Sequence, residues 1–328
     1  MQRTAGPIRI LFMGTPDFAV PTLRALVEHS APGRLWPDGL ELAGVVTRPD
    51  KPSGRGKQVV LSPVKQYAQE LELPVFQPGP LRRPEALALL QSLAPDLIVV
   101  AAFGQILPSE VLRLPVHGCL NVHASLLPRW RGASPISGAI LAGDDETGVS
   151  IMLMDEGLDT GPVVEQTPTP IGPDETAGQL SDRLAMLGAE TLVRTLPRWL
   201  GGAIVPQMQD EAAATMTRPL RKEDGLLDWT LPASDVARVV RAYTPWPGAH
   251  TTFEGHQIRV LQARPVPLDP GELPPGRCFL REPDHALWCA CGQGALALEV
   301  IQLEGRRALP AADVLRGRPS LATATLGT

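Results

Sequence analysis

The chain has 328 residues, 44% of them hydrophobic and 20% charged, with a formal net charge of −5. This length suits about two domains of ordinary globular composition, and no apolar run reaches the ~20 residues that a membrane-spanning helix needs. Neither half carries an excess of base when the chain is split at residue 203, so a polyanionic partner would have to be held by local patches.

The first strand is expected at residues 8–14, an apolar run closed by Gly14, as a fully buried parallel strand requires. Thr15-Pro16-Asp17 then opens a helix carrying Leu23, Leu26 and Val27. Strand, glycine turn and helix form the first unit of a doubly wound fold. The turn lacks the GxGxxG pattern, which argues against a dinucleotide site. A strand over 40–47 follows, and then a loop at 48–57 with four basic residues and one acid. Helix 62–71, strand 75–77, helix 84–93 and strand 96–102 continue the alternation.

Residues 119–125 read as the next strand, broken by a turn at Leu127-Pro128 because proline ends regular pairing. Ser134-Pro135 starts a helix that stops at Gly143. Strands over 148–155 and 163–171 follow, and Thr176 with Gln179 makes a capping box for a helix ending near Pro197. The alternation over 8–200 predicts a Rossmann-like, mostly parallel α/β sheet covered on both faces.

The pattern changes after Gly201-Gly202. Residues 203–225 have few apolar positions and read as a linker. A helix over 234–243 precedes short alternating segments at 250–253, 257–263, 277–280, 286–290 and 295–303, the spacing of a small OB-like β-barrel. The expected division is a catalytic domain over 1–203, a linker over 204–222 and a second domain over 223–328. Trp229, Trp246 and Trp288 could serve as stacking platforms, although the Pro and Leu neighbours of Trp229 and Trp246 favour packing. Cys119, Cys278, Cys289 and Cys291 form no Cys-x-x-Cys and have no histidine at metal spacing. They read as reduced thiols, and with an N-terminus lacking a signal-peptide pattern they point to a cytoplasmic location.

In open α/β sheets ligands bind beyond the carboxyl ends of strands. Asn121 and His123, two apart on one strand, point to the same face there. Asp159 lies in the loop after the next strand. An amide donor, an imidazole and a carboxylate are parts for acyl-type transfer. Spacing alone reads equally well as a structural histidine and a turn-forming aspartate beside Gly161.

A set of segments in order along the chain separates these readings: Gly14–Ala19, Pro49–Lys57, Asn121–Gly132, Met154–Gly161 and Tyr243–Gly248. Together they resemble the methionyl-tRNA formyltransferases, a branch of the folate-dependent formyltransferases. The Asn-x-His block with Ser-Leu-Leu-Pro is shared across that superfamily; the basic loop and Trp246-Pro247-Gly248 are more particular to the tRNA branch. The resemblance implies transfer of a formyl group from 10-formyltetrahydrofolate to the α-amine of methionine on initiator Met-tRNA. It implies that Asn121, His123 and Asp159 are catalytic and that Ser125, Leu126, Leu127 and Pro128 line the folate site. Arg48, Lys51, Arg55 and Lys57 would face the tRNA from the basic loop, and Arg129 and Arg131 would border the two sites. No metal, nicotinamide or membrane is implied, and a monomer is expected.

The chain departs from the family at Pro219-Leu220, where a lysine usually precedes an aliphatic residue, so a basic linker contact is either missing or moved to Arg218 or Arg221. A formyltransferase for a purine nucleotide or an amino sugar is the nearest rival. The long basic loop and the separate β-rich domain argue against the nucleotide enzyme. A non-catalytic RNA-binding protein would leave Asn121, His123 and Asp159 without a purpose.

Overall fold

A computed structural model of the chain describes residues 6–53, 58–266, 268, 270–281 and 285–327. The first half alternates strand and helix. β1 (Ile8–Gly14) leads through a 3-10 turn at Asp17–Ala19 into α1 (Val20–Glu28), and β2 (Leu40–Val46) follows. A two-stranded ladder of β3 (Lys51–Ser53) and β4 (Gln58–Val60) precedes α2 (Pro63–Glu70), β5 (Val75–Phe76), α3 (Pro84–Ser92), β6 (Leu97–Ala101), α4 (Ser109–Leu112) and β7 (Cys119–His123). Next come β8 (Arg131–Gly132), α5 (Pro135–Ala142), β9 (Glu146–Leu153), β10 (Val163–Pro170), α6 (Ala177–Leu200) and β11 (Met216–Thr217). The chain finishes with α7 (Ala233–Ala242), β12 (His250–Phe253), β13 (His256–Val266), β14 (Cys278–Arg281), β15 (Ala286–Ala290), β16 (Ala295–Leu303), β17 (Leu309–Pro310) and α8 (Ala311–Gly317).

These elements form two compact units. The first takes in the chain up to Gly132 with Glu146–Pro170 and Ser181–Thr217. Its seven-stranded sheet has the order β10-β9-β7-β6-β1-β2-β5. The five strands from β7 to β5 run parallel, and β9 is antiparallel to both its neighbours. Every residue of β6 and β7 is buried; β6 is accordingly a continuous apolar run, whereas β7 also encloses the polar Asn121 and His123.

Strand order reverses beside β1: β2 and β5 lie to one side, β6 and β7 to the other. The carboxyl ends of β1, β6 and β7 therefore open on the crevice where such sheets bind ligands. The Thr15 hydroxyl donates to the Phe103 carbonyl at 3.0 Å across two of these ends.

Local signals mark several boundaries. Ser62 caps α2, its hydroxyl accepting from the Lys65 amide at 3.2 Å. Gly143 closes α5 in the left-handed conformation, with φ 73°. The expected capping box at α6 is present, with the Gln179 amide donating to the Thr176 hydroxyl and the Thr176 amide to Gln179 Oε1.

Two expectations change. α6 does not stop near Pro197 but continues to Leu200; a proline this close to the end removes a single intrahelical bond while the buried Leu196 and Leu200 keep the turn in place. Much of the 203–225 stretch is also anchored rather than trailing. Val163 and Gln207 form a bridge, a 3-10 turn covers Glu211–Ala213, and β11 pairs in parallel with β8.

The second unit consists of Ala133–Asp145, Ile171–Leu180 and the chain from Arg218 onward. Its sheet is an antiparallel half-barrel of order β12-β13-β16-β15-β14, with β17 added to β16. Its core gathers Val236, Ala237 and Val240 of α7 with Leu227, Trp229, Ile258, Val260, Cys289 and Leu298. Trp229 is buried and donates to the Thr251 hydroxyl at 3.1 Å. Trp246 is 57% exposed while Trp288 is buried, so of the two tryptophans assigned to packing only Trp229 packs. Among the described residues, no helix is long and apolar enough to cross a membrane.

Candidate active site

β7 carries Asn121 and His123 to its carboxyl end with their side chains on the same face. Both are almost enclosed, at 9% and 6% exposure. Asp159 reaches the same point from the loop between β9 and β10. The Asn121 amide nitrogen lies 3.4 Å from Asp159 Oδ1, and His123 Nδ1 lies 3.6 Å from Asp159 Oδ2. The three residues picked from the sequence thus converge.

The other imidazole nitrogen is fixed. His123 Nε2 lies 3.0 Å from the Trp130 carbonyl oxygen. A carbonyl only accepts, so Nε2 carries the hydrogen and Nδ1 is the nitrogen that faces Asp159. Trp130 itself adopts φ 60°, and its amide donates to the Thr215 hydroxyl at 2.8 Å.

Asp159 is held at both its carboxylate and its backbone. The Gly132 amide donates to Oδ2 at 2.8 Å. Asp159 has φ 54°, a conformation that a non-glycine residue adopts at a cost unless its surroundings impose it. The loop also comes so close to β9 that a Cβ at Gly161 would sit 1.9 Å from the Leu153 carbonyl oxygen, and only glycine fits.

Beyond His123 the chain turns through Ser125–Pro128, with a cis bond between Leu127 and Pro128. The register of β9 against β7 places Ser150 beside His123. The Ser150 hydroxyl donates to the Ser125 carbonyl at 2.6 Å and accepts from the Leu127 amide at 3.0 Å and from Gln166 Nε2 at 2.8 Å. Gln166 also donates to the Leu127 carbonyl at 2.9 Å. Ser125 is fully buried, and its hydroxyl donates to the Arg129 carbonyl at 2.6 Å. A segment without regular structure is thus held by polar groups from two neighbouring strands.

The expected basic border divides. Arg129 is exposed, with its guanidinium 5.0 Å from the centre of the Trp130 ring. Arg131 is 3% exposed and turns inward. It makes a two-pronged bond to Glu211, at 2.9 and 2.7 Å, and donates from Nε to Gln209 at 3.0 Å. The Arg131 hydrogen bond holds the Glu211 carboxyl below the usual carboxylate range. Arg131 therefore presents no cation to a partner; its role is internal.

In the basic loop Arg48 is exposed. Arg55, Lys57 and the side chain of Lys51 lie outside the described residues. The stem is pinned: Lys65 is paired with Asp50 and donates to Gln77 at 2.7 Å, and Gln77 donates to the Arg48 carbonyl and to Asp50, each at 2.8 Å. The Lys65 bond holds the Asp50 carboxyl below its ordinary range. At the family departure, Arg218 is bound through both terminal nitrogens to Asp224, and Arg221 and Lys222 beside it are exposed.

Ser150, Gln166, Gln209, Glu211 and Thr215 escaped the sequence reading. Glu211 is the partner that the buried Arg131 requires, because a charge is buried only when paired.

The fold and site define a formyl transferase. A family model described as formyl transferase matches residues 8–196, and one described as formyl transferase, C-terminal domain, matches residues 219–319. A methionyl-tRNA formyltransferase from Geobacter sulfurreducens is 47% identical over 310 residues, covering 94% of this chain and 94% of its own. The chain belongs to the methionyl-tRNA formyltransferase family.

More distant solved structures share the fold. One is an N-formyltransferase from Helicobacter canadensis in complex with folinic acid and dTDP-3-aminofucose. Its TM-score is 0.61 at 16% identity, covering 89% of this chain and 99% of that one. Another is HypX from Aquifex aeolicus in complex with tetrahydrofolic acid. Its TM-score is 0.58 at 19% identity, covering 94% of this chain and 47% of that one, so this chain spans about half of HypX.

Proposed function

We propose that the protein transfers the formyl group of 10-formyltetrahydrofolate to the α-amine of methionine on initiator Met-tRNA. The observation that carries this reading is the convergence of Asn121, His123 and Asp159 at the end of β7, in a chain that belongs to the methionyl-tRNA formyltransferase family over nearly its full length.

The methionine amine attacks the formyl carbon, forming the new C–N bond as the carbonyl oxygen takes up negative charge. The Asn121 amide and a proton on His123 Nδ1 donate to that oxygen. One Asn121 amide hydrogen faces Asp159, and the second serves the oxyanion. Asp159 accepts the proton that the amine nitrogen must lose. The adduct then expels N10 of the folate, which takes up a proton, and formylmethionyl-tRNA and tetrahydrofolate leave.

Ser125, Leu126, Leu127 and Pro128 line the folate site, their backbone groups reading the pterin. Arg48, Lys51, Arg55 and Lys57 meet the acceptor end of the tRNA, and Arg129 borders the two sites. The working division is a catalytic domain over 1–203, a linker over 204–222 and a tRNA-binding domain over 223–328. The reading includes no metal and places a monomer in the cytoplasm.

The test gives purified protein 10-formyltetrahydrofolate and Met-tRNA, with and without the initiator acceptor features, in competition with an amino-sugar nucleotide. Formyl is expected on initiator Met-tRNA. Formyl only on the sugar or on a purine nucleotide would overturn the reading.

A further inference from the structure

Gln209 lies in the stretch between the two matched family models, and nothing in its local sequence suggests a part in chemistry. In the fold its side chain joins three groups. Nε2 donates to the Asp159 carbonyl at 2.8 Å and to the Gly161 carbonyl at 2.7 Å. Oε1 accepts from Arg131 Nε at 3.0 Å. One amide thus uses both hydrogens of its nitrogen on the two carbonyls that flank Thr160, and its oxygen on a buried guanidinium. Arg131 is held in turn by Glu211 at its other nitrogens, and its carbonyl accepts from the Thr217 hydroxyl at 3.0 Å.

Asp159 needs this support. Its left-handed φ of 54° is uncommon for a non-glycine residue, and groups that fix the loop backbone help to hold it. The conformation also aims the carboxylate at Asn121 and His123. With the backbone carbonyls released, the carboxylate would be left with the Gly132 amide at 2.8 Å and the longer Asn121 contact at 3.4 Å. A shift of about 1 Å at a reacting group can cost on the order of a hundredfold in rate.

We propose that Gln209 is a positioning residue for Asp159, clamping the carbonyls of 159 and 161 so that the carboxylate stays aligned with His123 Nδ1. Arg131, anchored by Glu211, fixes the clamp by holding Gln209 Oε1, so that Nε2 faces the loop. The inference rests on the reading of Asp159 as a catalytic group.

The test is a double-mutant cycle read in steady-state formylation. Gln209→Ala should lower kcat on the order of tenfold, with KM for the folate and for Met-tRNA unchanged. In an Asp159→Asn background, already slowed, the same substitution should cost less than about twofold, because the group that Gln209 positions is no longer working. Gln209→Glu is the second variant. It keeps the acceptor for Arg131 and loses both donors to the loop, so it should behave like Gln209→Ala and not like the parent. An equal loss from Gln209→Ala in both backgrounds, or no loss in the parent, overturns the inference and leaves Asp159 standing. An Asp159→Asn protein at the parental rate would instead sink the catalytic reading of Asp159, and the inference with it.

Discussion

His123 donates from Nε2 to the carbonyl oxygen of Trp130 at 3.0 Å, and this bond decides which face of the imidazole does chemistry. With Nε2 occupied, only Nδ1 can exchange a proton at the reaction centre, on the side where Asp159 Oδ2 lies 3.6 Å away. His123→Asn is expected to lower kcat by about 10²-fold or more, the range for removing one donor to the developing oxyanion. Folate KM should change little. Rapid-quench formylation of Met-tRNA measures both, and a variant within a few-fold of the parent would remove His123 from the mechanism.

Ser150 holds the turn at Ser125–Leu127 with a single hydroxyl. Alanine there leaves the Ser125 carbonyl and the Leu127 amide without this partner in a buried position, a loss of about 1–3 kcal/mol. Ser150→Ala should lower the unfolding midpoint and raise folate KM more than it lowers kcat. A destabilised variant with parental folate KM would show that residues 125–128 do not form the folate site.

The stem of the basic loop depends on Lys65, which bridges Asp50 and Gln77. Lys65→Met keeps most of the length of the side chain and removes the pin. Its kcat/KM for charged tRNA should fall roughly three- to tenfold, the effect of losing one or two polar contacts, while folate KM stays unchanged. Arg55→Ala should act in the same direction through lost phosphate or base-end contact. Unchanged tRNA kinetics in both variants would take the loop out of tRNA recognition.

In the second unit, Arg218 and the Arg221 amide hold Asp224. The Arg218 bond, opposed by burial and aided by the backbone amide, lowers the Asp224 carboxyl to about 2 from an ordinary 3.8. A lowered carboxylate stabilises the fold at pH above 3.8, and that contribution is lost as pH falls through 2. The difference in urea midpoint between the parent and Asp224→Asn should therefore be widest above pH 4 and close as the pH approaches 2. A gap that stays constant with pH would mean that the pair does not stabilise the fold.

The features legible in the sequence are those that leave a periodic or local mark. Continuous apolar runs marked β1 and β6, and capping chemistry marked the starts of α5 and α6. Asn121 and His123 could be placed on one face because strand geometry relates residues two apart. The half-barrel strands at 250–253, 286–290 and 295–303 were marked by Gly and Pro between alternating segments. What stayed hidden was the support of the site. Gln209 reaches Asp159 across fifty positions, and Thr215 reaches Trp130 across eighty-five. Single hydrogen bonds over such separations impose no pattern on their neighbours, so a polar stretch that braces a site looks the same as one that merely connects. Arg131 was misread for the same reason: a cation beside a tryptophan looks like a rim residue until its carboxylate partner is located.

The Arg131–Glu211 pair has a consequence for how this protein tolerates change. Glu211 is 72% exposed and Arg131 only 3%. A survey of surface positions for solubility or thermostability would choose Glu211 as a harmless place to alter charge. A lysine there would strand an enclosed guanidinium against a like charge, and the disturbance would pass inward along the chain that ends at Asp159. Here a position on the protein's outside carries the mutational sensitivity usually associated with its interior.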